Sequence, residues 1–472
     1  MRQAEHLFHR DVTAVSRETE RAGFLRDGLA GYRARRAASQ SAWLNWEHAR
    51  DEASAIKWEA INRLPELLES FEVRLLERGA EVLWARDADE ARGHVLRILE
   101  SEQARRVVKS KTMTSEEIGL NEALEAAGYE VLETDLGEYI QQLRGEPPFH
   151  FVMPSMHLKR GEVRETFERS IPGLGALDTD DPAALTMIAR RVLRAAYVAA
   201  DVGISGANFG VAETGHIAIT ENEGNARLTC ALPRVHIALM GIEKIIPRLA
   251  DLAILHPMLA TAGTGQPLTS YNTLYGGPRE AGDPDGPLRF VVILIDNGRT
   301  NLLADPSMRD ALRCIRCGAC LNVCPVFQVI GGHAYGTTYQ GPIGSVITPS
   351  FRGISEFGHL AHASTLCGAC TETCPVRIDL HHHLLRIRAL RALEAPDAAV
   401  RAGFRGFAWM SSRPRLFSAA GRAGRWALRA TRFLAGGPGD PFARWRDTRS
   451  LEAPSGPGFL ASLRSTTRRR ST

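Results

Sequence analysis

No apolar run in this 472-residue chain reaches the ~18–20 residues that a membrane-spanning helix requires, which argues against a helical integral membrane protein. The opening residues, Met1 to His6, have no apolar core of the kind a secretory signal carries, so a cytoplasmic location is expected. There is no glycine fingerprint opening a helix for a dinucleotide and no phosphate-cradling lysine loop. The chain therefore shows no flavin, nicotinamide or nucleotide motif of its own, and no nucleic-acid recognition motif accompanies its basic charge. Cysteine is nearly confined to two short runs, which hold seven of the eight. The eighth, Cys230, sits in an apolar, strand-like stretch and reads as a small buried hydrophobe.

Those two runs carry the chemistry. Cys314, Cys317, Cys320 and Cys324, followed by Pro325, have the spacing C-x2-C-x2-C-x3-C-P; Cys367, Cys370 and Cys374, followed by Pro375, repeat it without the leading cysteine. Three thiolates at such intervals wrap one cuboidal cluster, and the fourth, turned away at the proline, serves the other cluster. A zinc site needs four ligands in one tetrahedral set, which this rhythm does not supply. Two [4Fe-4S] clusters are expected, the first on Cys314, Cys317, Cys320 and Cys374, the second on Cys324, Cys367 and Cys370. The second set is one thiolate short. Ser364 occupies the vacant place, and its oxygen, water, an exogenous group or a distal histidine are the alternatives; His359 and His362 are the histidines nearby in sequence. Thiolates reserved for iron suit a reducing compartment, because in an oxidising one they pair as disulfides.

Charge is distributed unevenly. Residues 401–472 hold fifteen arginines, no lysine and three acidic residues, a net +12, so residues 1–400 carry −8. Between Arg401 and Arg432 the arginines alternate with Phe404, Phe407, Trp409, Leu416, Phe417, Trp426 and Leu428, a pattern suited to an anionic membrane surface or an acidic partner, and equally to a solvated tail.

Four regions follow from texture. Residues 1–70 read as amphipathic helices, with Trp43, Trp46, Ile56, Trp58 and Leu64 at helical intervals and a close near Pro65. Residues 71–300 alternate apolar runs with helical stretches. The runs at 81–84, 106–109, 129–132, 149–152, 216–219, 236–239 and 290–294 read as buried strands, and 87–101, 115–127 and 181–200 as helices. That alternation indicates an α/β domain with a largely parallel sheet. Residues 301–395 hold the cysteine runs, and 396–472 form the basic segment.

Within the α/β domain the distinctive residues read as loops: Gly203 to Gly210, Ala212 to His216 and Glu221 to Asn225. Lys109 and Lys111 follow a strand, where cations at a helix start suit an anion. Lys109, Lys111, Asn208, Glu213, Thr214 and Asn225 are the candidate small-anion site.

Lys109-Ser110-Lys111, Glu133 to Glu138, Gly203 to Asn208, Ala212 to Gly215, Glu221 to Asn225 and Gly241 to Lys244 together resemble the lactate-utilization (LUD) domain. With the paired cysteine motifs and the segment Trp445-Arg446-Asp447, the chain from about residue 40 to about 465 resembles the bacterial lactate utilization protein B family. That family's second motif also lacks its first cysteine, while His216 departs from the small residue expected there. The resemblance implies an α/β domain of the kind shared with ribose-phosphate isomerases and coenzyme A transferases, followed by a mostly helical two-cluster ferredoxin-type domain. It also implies two further subunits, one cysteine-rich and one a shorter LUD protein, which together oxidise L-lactate to pyruvate. The chain is then an electron relay whose LUD domain is a scaffold, or one whose LUD domain binds the acid itself; glycolate is the other 2-hydroxy acid to consider.

Overall fold

The computed structural model describes residues 5–396, 398–434, 437, 439–446 and 449. Ten strands form two sheets: β1 (Glu81–Ala85), β2 (Arg106–Lys109), β3 (Glu130–Glu133), β4 (Val202–Gly206), β5 (Phe209–Val211), β6 (His216–Glu221), β7 (Val235–Gly241), β8 (Ile245–Ile246), β9 (Tyr271–Tyr275) and β10 (Arg289–Ile295). The larger sheet has the order β1-β10-β7-β4-β2-β3, and every pairing in it is parallel. The smaller, β8-β5-β6-β9, is mixed. Every residue of β7 is buried, as a strand covered by helices on both faces requires. Local chemistry starts the helices where expected: Asp87, Asp135 and Asp181 each accept a hydrogen bond from the amide three residues on, at 2.9–3.1 Å.

Several expectations change. The run at 149–152 is not a strand. Pro147, Pro148 and Pro154 flank it, and the Val152 amide donates to the His150 ring Nδ1 (2.9 Å) instead of to a ladder. Gly203 to Gly206, read as loop, lies in the central strand β4. Glycine at 203 is a packing requirement, because a Cβ there would stand 1.8 Å from the carbonyl oxygen of Thr229 on the covering helix. Cys230 is fully buried as expected, but on that helix, Asn225–Ala231, rather than on a strand. The stretch 115–127 divides into helices Met113–Glu117 and Leu120–Ala126 at Gly119, whose φ is +63°. Pro65 opens the helix Leu64–Glu77 rather than closing one, since proline is tolerated in a first turn, where no amide partner is needed.

The N-terminal helices Glu5–Val15, Thr19–Ser41 and Trp46–Asn62 do not stand apart. Phe8, Leu25, Leu29, Ala53 and Ile56 share one hydrophobic core with Leu321, Phe327, Val346, Leu360 and Ile387 of the cysteine region. The described residues up to Glu394 accordingly form one compact unit, and those from Ala395 on another. In the second unit the helices Ala398–Ser411 and Pro414–Ala430 bury no side chain, and Phe404 and Trp426 are 71% and 74% exposed. Among the described residues no helix is long and apolar enough to cross a membrane.

Candidate functional site

The two cysteine runs have the same backbone. Arg316 (φ +60°) precedes Cys317, Gly318 (φ +76°) follows it, and the short helix Ala319–Val323 leads to Cys324. Leu366 (φ +56°) precedes Cys367, Gly368 (φ +81°) follows it, and Ala369–Thr373 leads to Cys374. Side chains larger than glycine seldom adopt φ near +60°, so its use at both places marks loops shaped for a task rather than for stability. The shape turns amides toward sulfur: Arg316 N donates to Cys314 Sγ and Ile378 N to Cys374 Sγ, both at 3.4 Å.

Electrostatics sort the thiols into two adjoining sets. Burial, then neighbouring thiols led by Cys314 and including Cys374, pushes Cys317 up to about 12. Cys320 rises well above the ordinary thiol range through burial and the fields of Cys314 and Cys317. Burial pushes Cys374 up to about 11, with Cys314 adding to it. In the other set burial raises Cys324, helped by Cys367, and pushes Cys370 up to about 11, helped by Cys324. Cys367 is exposed and is lowered by the Ala369 amide. The field of Cys370 also raises Cys320, so the two sets lie near each other. Each set draws one cysteine from the other's run. Buried thiols that resist ionisation alone ionise together around a cation, and the donor set is the soft one that iron–sulfur clusters use.

Arginines from outside the motifs frame this cradle. Arg50, 7% exposed, donates to the Cys374 carbonyl through Nε (3.1 Å) and Nη2 (2.8 Å) and to the Glu372 carbonyl (2.7 Å). Arg36 donates to the Thr373 carbonyl (2.6 Å), and Arg33 to that of Asn322 (3.0 Å). Sequence spacing gave no hint of them, because they lie more than 280 residues upstream. His150 holds the first run from another side, with its Nε2 3.1 Å from Asn322 Oδ1, while burial, then Lys111, lowers its pKa to about 3. Ser364 is half-buried, its Oγ accepting from the Leu366 amide. His359 is buried with Nδ1 at the Glu356 carbonyl, and His362 is exposed.

A buried ion network joins the α/β region to the first run. Arg299 pairs with Glu117 (2.9 Å) and, through Nε, with Glu243; Arg316 reaches Glu243 at 3.1 Å, and Tyr339 donates to Glu117 at 2.6 Å. Burial opposes ionisation of Glu243, but Arg299 and Arg316 outweigh it and hold the carboxyl down to about 2.

The six candidate anion residues separate. Lys111, Asn208 and Asn225 line one cavity of about 280 Å³, together with Arg316 and Cys317. Lys109 is compensated elsewhere, 2.6 Å from Glu133 and 2.9 Å from Glu116. Glu213 accepts from the Leu249 amide (2.8 Å), and Thr214 offers its carbonyl to Arg78 (2.8 Å). These two, with His216, sit at the start of β6, whose far end, Glu221, lines the cavity. Five residue steps of strand, about 16 Å, intervene.

Comparison with known proteins agrees with this layout. Residues 68–295 match the LUD domain and residues 310–378 the 4Fe-4S dicluster domain. Lactate utilization protein B of Shouchella clausii is 42% identical over 442 residues, 92% of each chain. The uncharacterized electron transport protein YkgF of Escherichia coli is 42% identical over 420 residues, 88% of this chain and 87% of its own. Lactate utilization protein B of Oceanobacillus iheyensis is 41% identical over 422 residues, again 88% and 87%. With a LUD domain, an iron–sulfur domain and near full-length likeness of this degree, the chain belongs to the lactate utilization protein B family.

Proposed function

We propose that the chain is the iron–sulfur electron-transfer subunit of a system that oxidises L-lactate to pyruvate. The observation that carries this reading is the pair of adjoining thiol sets, each completed by a cysteine from the other run. Cys314, Cys317, Cys320 and Cys374 hold one [4Fe-4S] cluster; Cys324, Cys367 and Cys370 hold the second, with Ser364 at its fourth place. Such clusters, when bound, take up and release electrons singly, which suits a substrate that gives up two. The protein's own part is to exclude water, to aim amides at sulfur and to set positive charge from Arg36, Arg50 and Arg313 around the cradle; the amides and the arginines favour the reduced, more negative state and offset the lost solvation.

The names of the relatives, lactate utilization and electron transport, supply the substrate and role. The partners in this reading are a cysteine-rich subunit and a shorter LUD protein, with the complex in the cytoplasm and its basic segment at a membrane surface. Glycolate is the competing 2-hydroxy acid. Anaerobic reconstitution tests the reading: about eight irons are expected. Cys374→Ser should damage the cluster of the first run and Cys324→Ser that of the second, seen by electron paramagnetic resonance. Four irons, or loss of the cluster local to each substitution, overturns the crossed assignment. Turnover of the reconstituted complex on glycolate but not lactate overturns the substrate.

A further inference from the structure

The cavity of about 280 Å³ opens where the carboxyl ends of β2 and β4 meet the first cysteine run. Ligands of parallel α/β sheets bind at this edge. Its volume falls just below the ~300–1,000 Å³ of sites for drug-sized molecules, so it suits a small acid and not a dinucleotide.

Two of its cations have donor groups without a hydrogen-bond acceptor. Lys111 Nζ is shut off from solvent with no hydrogen-bond partner. Its nearest acid, Glu138, stands 3.8 Å away and is raised by burial well above the usual carboxylate range. Arg316, 8% exposed, gives Nη2 to Glu243, while its Nε and Nη1 have no acceptor. Buried cationic donors without acceptors are unfavourable, and an anion supplies what is missing. The charge to be added is limited, because Asp135, Glu221 and Glu223 also line the cavity, with Lys244 as a third cation beside Lys111 and Arg316. Glu221 accepts from the Ala226 (2.7 Å) and Arg227 (2.9 Å) amides, one on each oxygen. Glu223 accepts only from the Leu136 amide (3.0 Å) among the hydrogen bonds found, and burial pushes it up to about 7. With three acidic residues in the lining, a monoanion is better accommodated there than a phosphate dianion. Asn208 and Asn225, with Glu223, offer partners for a second oxygen beside the carboxylate, partners that a plain fatty acid would leave unmatched.

We propose that this cavity binds a small 2-hydroxy- or 2-oxo-monocarboxylate, its carboxylate on Lys111, against a wall that includes Cys317. The inference deepens the function proposed above and rests on it for the choice of lactate and pyruvate as probes.

The test is calorimetric titration of the full, cluster-loaded chain with L-lactate and pyruvate, with propionate and phosphate as controls. Binding of lactate or pyruvate with at least about tenfold preference over both controls is expected. Lys111→Met should weaken Kd at least about tenfold, and Lys111→Arg should restore most of it. A measurement that needs no variant is the carbon resonance of labelled pyruvate, which the reduced, paramagnetic protein should broaden and a large excess of lactate should release. No heat and no broadening, or equal affinity for propionate, overturns the proposal. Lactate turnover by the reconstituted complex without binding to this chain sinks this inference and leaves the electron-transfer role standing; binding without turnover does the reverse.

Discussion

Ser364 and Cys314 hold equivalent places in two loops of one shape: the amide two residues on donates to Ser364 Oγ at 3.1 Å and to Cys314 Sγ at 3.4 Å. An oxygen thus stands where the other run has its first sulfur. Oxygen is the harder ligand for iron, so the fourth place of the second cluster should be weak but filled. Ser364→Ala should convert that cluster to a three-iron form on mild oxidation, and Ser364→Cys should protect it and shift its potential. Unchanged spectra in both variants reduce Ser364 to packing.

Arg50 fixes the far end of the second run through three hydrogen bonds to two carbonyls. Arg50→Ala leaves those acceptors buried, at a cost of about 1–3 kcal/mol each. The expected outcome is a lower melting temperature and faster iron release to a chelator, with the signal of the Cys374-containing set lost first. Arg50→Lys keeps charge but not the fork and should rescue only part.

His150 makes the fold acid-sensitive. Its folded pKa, about 3, lies below the ordinary value of 6.5. The unfolded chain therefore binds the extra proton first, and stability present above pH 6.5 falls as pH drops toward 3. The slope from this one residue is up to about 1.4 kcal/mol per pH unit. Denaturant midpoints measured between pH 7 and 5 should decline less steeply in His150→Gln, which keeps a side-chain partner for Asn322. An identical decline in both proteins assigns the acid response to other histidines.

The helices Ala398–Ser411 and Pro414–Ala430 carry six arginines, and no acidic residue lies between Asp397 and Asp440. With Phe404, Trp409 and Trp426 exposed among them, they suit an anionic bilayer surface. Sedimentation with phosphatidylglycerol vesicles should be strong at low salt, weak at high salt and absent after truncation at Pro396. Retained binding by the truncated chain places the contact elsewhere.

Cysteine spacing was legible because a ligand rhythm is written in consecutive residues, and β7 and β10 were legible because strands buried on both faces are continuously apolar. What escaped depends on tertiary neighbours. Gly203 looks like a turn residue until the Thr229 carbonyl lies over it. Phe149 to Val152 has a strand's composition but packs as irregular chain against the cysteine region, its Val152 amide satisfied by a histidine ring and its Phe149 amide by the Pro154 carbonyl. Lys109 and Lys111 are alike in sequence, yet only the first is met by Glu133 and Glu116. The last arginines, Arg464 to Arg470, lie outside the described residues.

The hydrogen bond from Arg50 to Cys374 joins residues 324 apart. At synthesis rates of about 5–20 residues per second, the first helices leave the ribosome roughly 15–65 s before the carbonyl they clasp. During that interval Leu25, Leu29 and Ile56 lack the part of their core that Leu321, Phe327, Val346, Leu360 and Ile387 supply, and Cys314, Cys317 and Cys320 wait for their fourth sulfur only over its last part. Cluster insertion is thereby a late event in the life of the nascent chain. A polypeptide cut short by its last quarter would lack Cys367, Cys370 and Cys374 and leave part of the first helices' apolar face uncovered, which makes truncation before residue 394 costly to the whole unit.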